Sequence, residues 1–262
     1  MCKYCEFLNS INFDMNLLTG FEKIYVLVSG GVDSTLLAEA IKTHYPKNTY
    51  FVNCFNPYES NLTLDLFKKE SNYIEIKPDQ DYDYGKILKD AFLKLNDAAD
   101  LRKNKKYHKK IFKCCYFIKH KAFLNNPLFQ NTDSVVISGI KRGDGHQRGI
   151  WLTQLSQGRE PSNQSEGKPT FLHRHLKGQL YCYPFRDYMR KEFPNEIMNL
   201  LYQTYPNLKH SGCAVCPVLV LFNIKKEERF NNSVKFTKNL IQPNENLMKY
   251  CPSLKEINKN VD

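Results

Sequence analysis

The chain contains no run approaching the ~18 consecutive apolar residues that a membrane-crossing helix needs. Its longest candidates, residues 24–28 and 215–222, stop far short. A helical membrane span is therefore excluded. The opening Met1-Cys2-Lys3-Tyr4-Cys5-Glu6 has neither the apolar stretch nor the small-residue cleavage site of a secretory leader, so a cytoplasmic location is expected. The Gly-Lys-Ser/Thr of a Walker A loop is missing, and so is the GxGxxG of a dinucleotide fold, which removes two common phosphate-binding signatures. Acidic residues are too few to balance the basic ones: 27 Asp and Glu face 38 Lys and Arg, for a net charge of +11. Lysine outnumbers arginine 30 to 8, so much of that charge follows composition. Polyanions such as nucleic acid or phosphorylated nucleotides are the partners it favours.

What is present describes a folded protein. At 262 residues, 42% hydrophobic and 13% aromatic, the chain can bury one generous core, or a core domain with an appendage, which argues against disorder. Nine cysteines are an odd count in a long chain, unlike a secreted disulfide framework. In a reducing compartment they call for a metal, redox or thiolate explanation.

The first third alternates strand and helix. Residues 23–28 are β-branched and apolar up to Ser29-Gly30-Gly31, which predicts a buried strand. Residues 34–44 follow with helical apolar spacing and stop at Pro46. Residues 49–54 and 73–76 predict further strands, 62–69 and 84–95 helices, and 134–139 a fourth strand. Strict alternation implies right-handed crossovers and an α/β fold with a doubly wound parallel sheet. Residues 153–178 read as a polar loop and 180–183 as one more strand. A helical C-terminal part follows, with a helix over 227–241 and a tail rich in lysine and asparagine. The expected organisation is an N-terminal helical extension (1–20), an α/β domain (21–222) and a C-terminal helical tail (223–262).

Ser29, Gly30, Gly31, Val32, Asp33 and Ser34 join the first strand to a helix, the place where an open α/β sheet binds its ligand. Two glycines allow a tight turn and close approach to an oxyanion. Helix N-terminal amides and the two serine hydroxyls supply donors. A capped helix after a tight turn is the plainer reading. A second anion-binding stretch follows the fourth strand, where Gly139, Lys141, Arg142, His146 and Arg148 put cations among glycines.

The hexapeptide resembles the PP-loop of the adenine-nucleotide alpha-hydrolase superfamily. Four later stretches, collinear over about residues 22–222, are similar to its PAPS reductase family, iron–sulfur-containing branch. They are residues 51–60, Cys114-Cys115-Tyr116-Phe117-Ile118-Lys119, residues 138–148, and Tyr183-Pro184-Phe185-Arg186-Asp187 followed by Ser211-Gly212-Cys213-Ala214-Val215-Cys216-Pro217. Asn53-Cys54-Phe55 stands where the family carries Asp-Thr-Gly, and Ile118 where it carries arginine.

Cys213 and Cys216 share a Gly- and Pro-bounded turn, and Cys114 and Cys115 are adjacent, with 97 residues between the pairs. Four thiolates suit an iron–sulfur cluster or structural zinc, and plain buried thiols are the bland reading. The resemblance implies a [4Fe-4S] cluster on these four residues. Cys2-x-x-Cys5 reads as a frayed terminus rather than a metal or sulfur-relay pair. Cys54 would line a pocket or pack as a thiol, and Cys182 would be core.

The resemblance also implies an enzyme that binds ATP, with Mg2+, or the sulfonucleotides APS or PAPS. The loop departs from the reductase form, and the reductases' Glu-Cys-Gly-x-His tail is missing, although Cys251 falls at about its place. The expected activity is therefore ATP-dependent sulfur transfer: acceptor adenylation with pyrophosphate release, using Asp33, Arg142 and Arg148. The alternatives are a sulfonucleotide reductase with Cys251 as nucleophile, and a non-catalytic nucleotide or nucleic-acid binding module. A thiol or sulfur-donor protein would be a partner. Residues 102–110, with six formal cations in nine residues, offer a grip for RNA or DNA or else a solvated helix face.

Overall fold

A computed structural model of the full chain describes residues 2–56, 62–77, 83–105, 121–129, 131, 133–142, 152–153, 171–174, 179–190, 192–208, 214–225 and 227–255, with Phe112, Cys114 and Phe117. In chain order the elements are α1 (Lys3–Ser10), β1 (Lys23–Leu27), α2 (Val32–His44), β2 (Thr49–Cys54), α3 (Leu62–Phe67), β3 (Tyr73–Ile76), α4 (Tyr84–Leu93), α5 (Leu95–Lys103), α6 (Lys121–Asn125), β4 (Ser134–Ile137), β5 (Leu172–Arg174), β6 (Leu180–Cys182), α7 (Asn195–Thr204), α8 (Pro217–Leu221), α9 (Glu227–Leu240) and α10 (Glu245–Tyr250). None of the described helices is long and apolar enough to cross a membrane.

The chain is α/β, with one six-stranded, mostly parallel sheet in the order β3-β2-β1-β4-β6-β5. β1 runs parallel to β2 (Val26 opposite Phe51) and to β4 (Val26 opposite Ile137). β4 is buried along its whole length, as a central strand covered on both faces must be, which is why it reads as a continuous apolar run. β5 is antiparallel to β6, with His173 opposite Tyr181. The sequence reading placed these residues in a loop, because three residues are too few for period-2 alternation to register. From β1 the chain builds first to one side and later, through β4, to the other. The order therefore reverses between β1 and β4, the place beyond the strands' carboxyl ends where open α/β sheets bind their ligands.

Two compact units share the chain, and they differ from the three consecutive parts expected from sequence. The first comprises Met1–Asn53, Asn61–Ile76 and Phe123–Ser211; the second comprises Cys54–Ser60, Lys77–Ala122 and Gly212–Asp262. The first unit holds the sheet. Its core includes Ile24, Val26, Leu36, Leu37, Ile41, Phe51 and Val135. α1 belongs to this core rather than to a separate extension, because Tyr4, Cys5, Phe7 and Leu8 are buried in it. The terminus that looked frayed at Cys2 and Cys5 is thus an ordered, packed helix.

The second unit is helical, built by α4, α5, α8, α9 and α10 around Leu88, Phe92, Leu95, Leu219, Val220, Phe230 and Leu247. The segment expected as a tail supplies much of this core. Asn244 caps α10 by accepting from the Leu247 amide at 2.8 Å, and its own amide donates to Asp100 of α5 at 3.1 Å. A single polar side chain thereby ties the late helix to the early one.

Candidate functional site

The Ser29–Ser34 loop leaves β1 and enters α2 at the switch point. Gly30 has a φ of 68°, the left-handed region that glycine occupies without steric cost. Gly31 is the N-cap of α2 and has no side chain to satisfy the first amides, so the Ser34 hydroxyl takes over the turn. It donates to the Gly31 carbonyl at 3.0 Å, accepts from the Ser29 amide at 3.2 Å, and lies 3.2 Å from the Ser29 hydroxyl. The Asn53 amide donates to the Val28 carbonyl at 2.6 Å, fixing the approach to the loop from the neighbouring strand. This buried contact makes use of an asparagine that in the sequence reading was only a departure from the family's pattern.

The stretch after β4 meets the same loop. A Cβ at Gly139 would lie 3.2 Å from both the Asp33 carbonyl carbon and the Ser34 nitrogen, so the two backbones pass closely there. Lys141 reaches Asp33 with Nζ 2.5 Å from Oδ1. Its ammonium also sits 4.6 Å from the centre of the Phe193 ring, and the side chain is 7% exposed. Arg142 is half-buried on the same stretch, and Arg148 lies outside the described residues. Ser29, Gly30, Gly31, Val32, Asp33, Ser34, Gly139 and Lys141 are therefore gathered at the carboxyl ends of the adjacent central strands β1 and β4.

Beyond β6 stands a residue that sequence reasoning quoted but gave no role. Arg186 is buried, forks its Nε and Nη2 onto Asp187 at 3.2 and 2.5 Å, and stacks 3.9 Å from the Phe171 ring centre. Its Nη1 has no hydrogen-bond partner. A lone arginine beside aspartate at a strand's carboxyl end was the available signal. Nearby, burial pushes the Tyr188 phenol up, with the Asp33 carboxylate adding to the rise.

The cysteines divide between the units. In the second unit Cys114 is buried in the apolar core, against which Cys216 packs at the N-cap of α8. The Cys216 amide donates to Ser233 Oγ at 2.8 Å, and that hydroxyl donates to the Arg229 carbonyl at 2.6 Å, so a fully buried serine of α9 fixes the turn. Cys115 and Cys213 lie outside the described residues, and no group of three or more His, Cys, Asp or Glu gathers among the described ones. Two soft donors in one apolar shell are compatible with an iron–sulfur cluster, a centre set in hydrophobic surroundings and held by thiolates. Cys54 is buried at the end of β2.

Cys251, the candidate nucleophile, is fully buried in the same core, and burial pushes its thiol up. Attack on a sulfonucleotide needs an accessible thiolate, so this setting suits packing and not nucleophilic chemistry. Cys182 is likewise fully buried, with its thiol pushed up by burial, as expected of a core residue. Within the basic stretch, Arg102 does not face outward. It donates from Nη1 to the Leu221 carbonyl at 2.6 Å and lies between the rings of Phe222 and Tyr250, 4.6 and 4.0 Å from their centres. Lys103 and Lys105 are exposed, and residues 106–110 lie outside the described residues. No family model matches the chain, and no curated protein matches its sequence significantly.

Proposed function

We propose that the chain is a PP-loop enzyme that binds ATP at the β1–α2 loop and activates an acceptor for sulfur transfer. The observation that carries this reading is the joint construction of the loop. Its hydroxyls and glycine turn, the close pass of Gly139 and the Lys141–Asp33 pair all fall at the sheet's switch point. Amides at the start of α2 and the Ser29 hydroxyl suit the β- and γ-phosphates of ATP, with the Ser34 hydroxyl holding the turn that presents them. Asp33 is the loop's own carboxylate for the Mg2+ that accompanies ATP. Lys141 and Arg142 oppose the charge that builds on departing pyrophosphate.

In this reading an acceptor oxygen attacks the α-phosphorus and pyrophosphate leaves. The terminal sulfur of a donor-protein persulfide then attacks the acceptor carbon and AMP leaves; a second donor thiol breaks the resulting S–S bond, so the thiolated acceptor is released and the donor is left as a disulfide. Holding acceptor and nucleotide in line at the carboxyl ends of the central strands supplies much of the rate. Cys114, Cys115, Cys213 and Cys216 would hold a [4Fe-4S] cluster, which would supply a soft centre able to bind sulfur. The exposed Lys103 and Lys105 favour a polyanionic acceptor such as RNA or DNA.

Acceptor-dependent pyrophosphate release from ATP, measured with tRNA and with DNA, tests the activity. Iron and sulfide analysis of anaerobically prepared protein tests the cluster. Failure of ATP to bind would overturn the reading, and a colourless zinc protein would overturn the cluster alone.

A further inference from the structure

Cys2 and Cys5 lie one helical turn apart at the start of α1, Cys2 as its N-cap and Cys5 as its third residue. Cys5 is 5% exposed and donates from Sγ to the Ala40 carbonyl of α2 at 3.6 Å. Cys2, three residues earlier on the same turn, is only half-buried. The first unit thus carries an accessible thiol one helical turn from a covered one, and the nucleotide site uses neither.

We propose that Cys2 and Cys5 are a reversible dithiol–disulfide pair, oxidised by low-molecular-weight disulfides of the glutathione class. The Cys2 thiolate attacks one sulfur of the external disulfide, whose S–S bond breaks, and the first small thiolate leaves and takes a proton from water. Cys5 then loses its proton to solvent and attacks the Cys2 sulfur of the mixed disulfide. The Cys2–Cys5 bond forms and the second small thiolate leaves. The protein pair gives up two electrons and one external disulfide becomes two thiols. Accessibility sets the order, because Cys2 can be reached from solvent while Cys5 is covered. Burial and the neighbouring Cys2 also hold Cys5 up to about 12, so it stays a thiol until the mixed disulfide lies beside it.

Oxidation has a structural consequence. A disulfide sulfur carries no hydrogen, so the Ala40 carbonyl loses its Cys5 donor. Ala40 lies on α2, whose first turn carries Ser34. The redox state of the pair therefore acts on the helix that leads to the phosphate loop.

The test uses the full chain equilibrated in glutathione buffers of stepped ratio, acid-quenched, alkylated and cleaved after Lys3. Cleavage there separates the Cys2 and Cys5 peptides unless a disulfide joins them. We expect a joined pair whose abundance follows a single two-electron transition. Cys2→Ser should abolish oxidation of Cys5, and Cys5→Ser should stop at one glutathione on Cys2. Separate, independently alkylated peptides at every ratio would overturn the proposal on wild-type protein alone. The outcome does not depend on whether the chain binds ATP.

Discussion

Lys141 Nζ lies 2.5 Å from Asp33 Oδ1, so the chain leaving β4 is ionically tied to the loop leaving β1. Lys141 is 7% exposed and Asp33 31%, which makes this a partly screened, partly buried pair. Breaking such a pair should cost about 1–3 kcal/mol, below the range of fully buried pairs. Lys141→Met should therefore lower the denaturation midpoint and, on the proposed reading, weaken ATP binding at least tenfold. Asp33→Asn should cost stability as well. The double variant should be more stable than the sum of the two losses predicts; strict additivity would show that the pair does not couple the two stretches.

Gly139→Ala adds one methyl where no positive φ is at stake, so any effect must come from contact. The added carbon would meet the Asp33 and Ser34 backbone at 3.2 Å, and that backbone belongs to the β1–α2 loop proposed to hold the phosphates. Relief requires the loop or the β4 exit to yield by a few tenths of an ångström, at a cost of about 1–2 kcal/mol. ATP affinity measured by calorimetry should fall at least as far as stability does. Unchanged affinity in a destabilised Gly139→Ala protein would place the strain somewhere other than the loop.

The loop, the alternation of strand and helix and the switch point were legible because they are local. Glycine, serine and β-branched runs act within about ten residues of themselves. Asn53 illustrates what was not legible. Its value lies in reaching the Val28 carbonyl across two strands, a contact set by register and invisible to spacing. The helix over 227–241 was legible, but the packing of 223–262 was not, for the same reason: Asp100 and Asn244 are brought together only by the fold. Arg102 read as a free cation because its ring partners, Phe222 and Tyr250, lie over a hundred residues away in sequence.

Ser233→Ala removes the hydroxyl that accepts from the Cys216 amide and leaves a partly buried N–H without that partner. The loss should be about 1–3 kcal/mol. If Cys216 is a cluster ligand, the turn should also hold iron less tightly. We expect iron retained after gel filtration to fall at least severalfold, with the visible spectrum bleaching faster on exposure to a chelator. Ser233→Thr keeps the acceptor and should restore retention. Loss of stability with full iron retention would make Ser233 a packing residue alone.

Alkaline pH should destabilise the first unit, and the sign follows from two buried acids. Cys5 is pushed up from 9.0 to about 12, by burial first and by Cys2 second, and burial alone pushes Tyr181 from 10.0 to about 12. Both are neutral when protonated, so the folded chain holds protons that the unfolded chain has already released. Their contribution is complete below about pH 9 and is lost as pH climbs toward about 12. Between those limits each group can lower stability by up to about 1.4 kcal/mol per pH unit. Urea midpoints at about pH 8 and about pH 10.5 should therefore differ clearly, the higher pH being the weaker. Tyr181→Phe keeps the ring and removes the titrating hydroxyl, so it should shrink the difference whatever it does to the midpoint at neutral pH. Cys5→Ala should shrink it further, because the steepest part of the fall begins at the thiol's unfolded value. Equal slopes in wild type and in the double variant would mean that these groups titrate as freely in the folded chain as in the unfolded one.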